Sequence, residues 1–403
     1  MKHLFSLCDN QSKANHKRIE KATQFGFIVD GKELIDISCN LSSTIIGYDR
    51  VDIIDHVTNQ MKQTPICPAE IQTDTSSIKK LSDRIYGDTG CHSLFSLSGS
   101  DAVELAIRCV KLYHHKRKTN KTKIIGFNNS YHGSNQLNLQ ISNINPNTGR
   151  EANDDDQFIH LPNINSYATA IEFEFETLNR LRKLFQQEPI ACIVQETCSW
   201  GGNLLSVSDN YWKHLKQLCE QYDVLLVIDD IAMCGGKTGK LYGFNITPDV
   251  FCVGKAFGGG YFPIAAACIN NRVYQEIKHD CFFAGYTHSF HLPGIIAANY
   301  YHEHILTNGI LESVPNTISK AVDVCKQLDI KSFNHFGTMF SVQMHKAVDV
   351  KLLDNVFRNN GLNLGFIISL PMHDRFIWSV PLTADDEYFY NVKRRLTDCL
   401  LQI

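Results

Sequence analysis

An α/β architecture is what this sequence predicts: a large domain with a mostly parallel central sheet flanked by helices, and a smaller α+β domain built from both termini. Two observations carry the expectation. Between about Leu94 and Ile269 six short apolar runs recur, SLFSLS (93–98), KIIGF (123–127), ACIVQE (191–196), VLLVID (224–229), DVFCV (249–253) and IAAACI (264–269). Runs of this length without polar alternation read as strands buried on both faces, and such strands belong to parallel sheets joined by helical crossovers. Longer amphipathic segments lie between the runs and supply those crossovers. At ~150 residues per domain, 403 residues leave room for two or three domains. We divide them as 1–50 and 301–403 for the small domain and 51–300 for the large one.

Taken in order, FGFIVDGKELIDI joins two strand-like stretches through Asp30-Gly31, a pair suited to the type I′ turn of a hairpin. Ile53, Ile54, Val57 and Met61 then recur at helical spacing, and a second helix is expected over 76–84. Ala102, Leu105, Ala106, Cys109, Val110 and Tyr113 form one helical stripe. NPNTGREANDDDQ (145–157) reads as a polar loop. A long helical segment follows Phe290, then MFSVQMH (339–345) in a mixed region, then a terminal helix from about Ala384. There is no internal repeat and no low-complexity tract.

Composition narrows the function. A net charge of −3 argues against a dedicated nucleic-acid binder, which needs a basic excess. With 43% hydrophobic and 20% charged residues the chain is an ordinary cored protein. Its 14 cysteines contain no CxxC; the closest pair, Cys192 and Cys198, stands six apart, which removes the common zinc-finger and thioredoxin-like readings. Free thiols in that number fit a reducing cytosol. The start, MKHLFSLCDNQSK, has no signal-peptide pattern, and no run approaches the ~18 apolar residues of a membrane helix. A cytoplasmic protein with no membrane and no nucleic-acid partner is expected.

Familiar nucleotide motifs fail. GGKT (235–238) would need a glycine at 231 to be a phosphate loop, where Ile231 stands, and there is no GxGxxG, HExxH or GxSxG. Three strand-end features remain. In LFSLSGSDAVELAIR, Ser98-Gly99-Ser100 stands between strand and helix, where backbone amides make an anion site; Ser98 with Asp101 also fits a plain capping box. VLLVIDD ends a buried strand on two carboxylates, at the end of a parallel sheet where ligands bind or where a salt bridge would suffice. DVFCVGKAFGGGYFPIAA puts Lys255 after another buried strand and before three glycines; desolvation there makes a nucleophilic amine, whereas a snorkelling lysine is the plainer alternative. Together, an anion loop, a carboxylate and a lysine match the phosphate, pyridine nitrogen and aldehyde of pyridoxal 5'-phosphate.

In LLVIDDIAMCGGKTGKLYGFNITPDVFCVGKAFGGGY the chain resembles the class III (omega-type) aminotransferases of the fold-type I pyridoxal-phosphate enzymes, and the similarity runs from about Gly26 to Leu382. The resemblance implies that Lys255 carries the cofactor as a Schiff base and shuttles a proton, and that Asp229 holds the pyridinium proton. Asp230, where the family usually has glutamate, would be structural. Gly99 and Ser100 match the phosphate-binding pair; Tyr131 of SYHG would stack on the ring with His132 beside it, and Ile231 would pack the other face. Thr287 of AGYTHSFH matches the threonine that reaches the neighbouring subunit's phosphate, which implies a homodimer with composite active sites.

The departures concern substrate. SWGG puts Trp200 where the family commonly has a glutamate, and RFIWSVPL puts Ile377 where many members have a carboxylate-binding arginine. Arg375 lies two residues upstream, on the same face by strand alternation. Ala232 replaces a frequent glutamine, as in the diaminopelargonate branch. The expected activity is a ping-pong transamination from an amine or amino-acid donor to a carbonyl acceptor. An aminomutase or racemase on the same scaffold is the alternative, against which KTGK after Asp229 speaks. A non-catalytic binding protein is more remote, since lysine and aspartate are both present.

Overall fold

In the computed structural model, residues 19–64, 76–143, 156–201, 203–279, 285–364 and 372–403 are described. The N-terminal segment and nearly all of the polar loop 145–157 lie outside them. The chain forms two compact units. One comprises Ile53–Gly235 and Lys240–His304; the other comprises the described part of Met1–Asp52, with Gly236–Gly239 and Ile305–Ile403.

The larger unit is built on a seven-stranded sheet in the order Cys91–Ser96, Ala265–Asn270, Val250–Val253, Leu225–Asp229, Ile190–Glu196, Lys123–Phe127, Phe158–Leu161. All six expected runs are strands. Ala265–Asn270 pairs antiparallel with both neighbours, while the four remaining pairings are parallel. Its reversal has a simple cause: the connection 254–264 holds one short 3₁₀ turn, Lys255–Gly258, and no long crossover helix of the kind a parallel pairing needs. Two reversals leave Cys91–Ser96 running with the rest, so the other six strands end on one side of the sheet. Phe158–Leu161 has no counterpart among the expected runs; its four residues are too few to show a period.

Both faces of the sheet are covered. On one, Ile193, Leu226 and Phe251 pack in a core with Phe173 and Trp212. On the other, Val194, Leu225 and Cys252 meet Ala102, Ala106 and Val110 of the helix Gly99–Lys116, the stripe visible in the sequence. Alternate strand residues thus serve two cores, which is why the runs are apolar throughout.

In the smaller unit, Gly26–Val29 and Lys32–Asp36 form the expected hairpin, with Asp30 (φ 50°) and Gly31 (φ 71°) both left-handed as a type I′ turn requires. Ile19–Thr23 adds an outer antiparallel strand. Ser332–Phe336, Met339–Asp349 and Met372–Ser379 make a second sheet, and the terminal helix Asp386–Leu400 starts on an Asp385 cap that accepts the Tyr388 N–H at 2.8 Å. No helix among the described residues is long and apolar enough to cross a membrane.

Candidate active site

Five strand ends bring polar groups to the same side of the sheet. Leu225–Asp229 ends on Asp229, and in parallel register beside it Ile190–Glu196 ends on Glu196. The chain leaving Lys123–Phe127 carries Tyr131 and His132, that leaving Cys91–Ser96 turns at Ser98 into the helix Gly99–Lys116, and that leaving Val250–Val253 delivers Lys255. Gly99, Ser100, Tyr131, His132, Asp229, Ile231 and Lys255 line one cleft of about 160 Å³ together with Trp200 and Glu196.

The buried Asp229 carboxylate is held from two sides. His132 Nδ1 donates to its Oδ2 at 2.8 Å, and the Ile231 N–H donates to its Oδ1 at 3.1 Å. Burial alone would depress the His132 imidazolium, but the Asp229 bond and charge, with Glu196, carry its pKa above the ordinary value. Asp230 faces elsewhere: it accepts the Thr197 hydroxyl at 2.7 Å and the Gly243 N–H at 3.0 Å, bonds that tie two loops behind the strand end.

Lys255 sits in the left-handed region at φ 46°, a conformation that a non-glycine residue holds at some cost and that concentrates at functional sites. Burial lowers its pKa, opposed by the charges of Asp229 and Glu196. Its ammonium lies 4.7 Å from the centroid of the Trp200 ring, within cation–π range.

At the helix start the plain reading and the anion reading coexist. Ser98 is the cap: its hydroxyl accepts the Asp101 N–H at 3.2 Å and donates to Asp101 Oδ2 at 2.8 Å. Gly99 and Ser100 follow in the first turn and line the cleft, where the helix dipole favours an anion. A Cβ on Gly99 would come within 2.8 Å of Ile231, and one on Gly133 (φ 120°) within 2.6 Å of Ser100 Oγ, so both positions must stay bare for the walls to close up.

These residues fit a group carrying a phosphate, a basic ring nitrogen and an aldehyde. The helix start offers backbone amides to the first, the buried Asp229 a carboxylate to the second and Lys255 an amine to the third. Two sequence-predicted residues lie outside the cleft lining. Thr287 is exposed. Arg375 belongs to the other unit, on Met372–Ser379, where it faces Gln343 across the sheet and lies 3.6 Å from Asp374. Glu196 is the site residue that sequence reasoning misses. Its one signal is that ACIVQE, like VLLVID, ends an apolar run on a carboxylate.

A protein-family model described as aminotransferase class-III matches residues 11–400. The omega-amino acid–pyruvate aminotransferase of Pseudomonas putida is 26% identical over 373 residues, 84% of this chain and 82% of that protein. The adenosylmethionine-8-amino-7-oxononanoate aminotransferase of Buchnera aphidicola is 25% identical over 395 residues, 90% of each. Among solved structures, an (S)-enantioselective omega-transaminase from Thermomicrobium roseum superposes with a TM-score of 0.88 at 18% identity, covering 99% of this chain and 96% of that one.

Proposed function

From the premise that this chain belongs to the class III aminotransferases, we propose which of its residues carry the pyridoxal-phosphate-dependent transamination common to that family. The activity moves an amino group from an amine or amino-acid donor to a carbonyl acceptor; an isomerase or a silent binding protein is not favoured. When bound, the cofactor supplies an electron sink for the bond broken at the donor's carbon.

Lys255 Nζ holds the cofactor's aldehyde carbon and moves the proton; Asp229 keeps a proton on the ring nitrogen, with His132 behind it. Gly99 and Ser100 hold the phosphate, Tyr131 covers one ring face and Ile231 the other. The convergence of these seven residues on one cleft supports the assignment. We further propose a homodimer in which Thr287 reaches the partner's phosphate; its exposure is what that contact needs. The eleven described cysteines are free thiols, which supports a cytoplasmic location.

The proposed donor follows from the side chains that line the cleft. Among the described residues lining the cleft there is no arginine, the bidentate partner of a substrate carboxylate. Trp200, Tyr131, Cys198, Ala232 and Met233 offer aromatic and apolar surface instead. We therefore propose a primary amine or ω-amine with a neutral or apolar far end, in preference to a dicarboxylic amino acid. The omega-amino acid named for the Pseudomonas putida relative supports the terminal primary amine of this class, though not its neutral far end, since such a donor ends in a carboxylate. In a panel of diamines, ω-amino acids, amino sugars and glutamate, followed by the cofactor's absorbance change, the best ω-amine should exceed glutamate by roughly tenfold or more in kcat/KM, the scale of one pocket contact. Arg375→Ala should leave that ranking intact. Strong glutamate turnover surviving Arg375→Ala would mean that another residue grips the carboxylate, and would overturn this view of the pocket.

A further inference from the structure

Glu196 has no part in the roles above, yet more of the site converges on it than on any other unassigned side chain. It stands in parallel register with Asp229 at the end of the next strand. The Tyr131 N–H donates to its Oε1 at a long 3.4 Å, and the Trp200 backbone acts on the carboxylate electrostatically. These are the two aromatic walls of the cleft. Glu196 also lines a second, smaller cavity of about 20 Å³, walled by Ser130, Gln195 and Thr197 on its polar part and Phe127, Phe173 and Leu205 on its apolar part.

We propose that Glu196 is a positioning residue for transamination: its carboxylate fixes the Tyr131 wall through that residue's backbone N–H and sets a negative charge in the cleft beside Asp229, Lys255 and His132. This deepens, and rests on, the reading of Lys255 as the cofactor lysine. The charged and titratable groups facing it are Asp229 from the adjacent strand, His132 from the loop after Phe127, Lys255 from the 3₁₀ turn and Cys198 from its own segment.

Burial pushes the Glu196 carboxyl up to about 7; His132 opposes the rise, Asp229 adds to it, and the backbone of Tyr131 and Trp200 opposes it. Above that pH the ionised group accepts the Tyr131 N–H and adds a negative charge beside Lys255. Below it, one oxygen becomes a donor, the clamp loosens, and Lys255 loses an anion that had raised its pKa.

Glu196→Gln keeps the shape and removes the charge; Glu196→Asp restores the charge one methylene shorter. In the cofactor-free protein, the pH dependence of Lys255 acylation, read by peptide mass, should shift to a midpoint lower by about one pH unit in E196Q, a tenfold change in the amine's protonation equilibrium. E196D should recover at least half of the shift. In the cofactor-loaded protein, visible circular dichroism should change with a midpoint near 7 in the wild type and lose that transition in E196Q. Equal Lys255 midpoints in wild type and E196Q, or equal displacement in E196Q and E196D, would overturn the proposal by reducing Glu196 to packing. Should E196Q fail to fold, Glu196→Ala takes its place: the same lowered Lys255 midpoint is expected, and a midpoint equal to the wild type overturns the proposal. Cofactor found on a lysine other than Lys255 would instead sink the underlying assignment, and so is a distinguishable failure.

Discussion

Lys255→Ala should lower turnover by ~10³-fold or more, since on the proposed assignment one substitution removes both the cofactor's covalent anchor and the group that moves the proton. The fold should survive. Alanine occupies φ 46° no worse than lysine does, and the substitution gives up the cation–π approach of the ammonium to Trp200. Removing a desolvated amine even relieves a cost of burial. Steady-state rates, visible absorbance of the loaded protein and thermal unfolding together check this: activity and lysine-bound absorbance should vanish while the melting temperature stays within a few degrees of the parent.

Asp229→Asn separates the two adjacent carboxylates. An amide carries no charge to hold a proton on the ring nitrogen and none to face His132 Nδ1 2.8 Å away, so kcat should fall by roughly 10²–10³-fold. Asp230→Asn should behave in the opposite way. Its oxygens accept from Thr197 and Gly243; the new NH₂ can turn to the Thr197 hydroxyl, which then donates to the Asp229 carbonyl 3.2 Å away, so the loss is one exchanged hydrogen bond, about 0.5–1.5 kcal/mol of stability, while kcat stays within ~tenfold. Equal losses of kcat in the two variants would refute the division of labour.

Much of the fold and site is legible in the sequence because the relevant physics is local. Strands buried on both faces declare themselves as unbroken apolar runs, and a lysine or aspartate at the end of such a run is conspicuous. What stays illegible depends on pairing. Glu196 gains its role from standing in register with Asp229 and from receiving the backbone N–H of Tyr131, and no spacing in the sequence encodes either. The antiparallel course of Ala265–Asn270 is decided by a connection too short for a crossover, which the apolar run itself cannot show.

A different blind spot is Cys39–Ser42. Four consecutive residues, Cys39 (φ 49°), Asn40 (49°), Leu41 (57°) and Ser42 (63°), wind left-handed with no glycine among them. Each such residue costs roughly 1–2 kcal/mol, and the surroundings offset it. Asp36 accepts the Ser38 N–H at 3.0 Å, the Asn40 N–H at 2.8 Å and Asn363 Nδ2 at 2.9 Å, and Tyr48 binds it as well. Ser42 Oγ donates to Ser379 Oγ at 3.0 Å. Partners more than three hundred residues away hold a conformation that local propensity forbids.

The most direct test of the central claim is chemical. Protein loaded with pyridoxal 5'-phosphate is reduced with borohydride, which makes the bond between lysine and cofactor permanent, then digested and mapped by mass. The account predicts the added mass on the peptide containing Lys255 and no such addition in Lys255→Ala. Cofactor on a different lysine, or an equal yield of labelled peptide from Lys255→Ala, would contradict it.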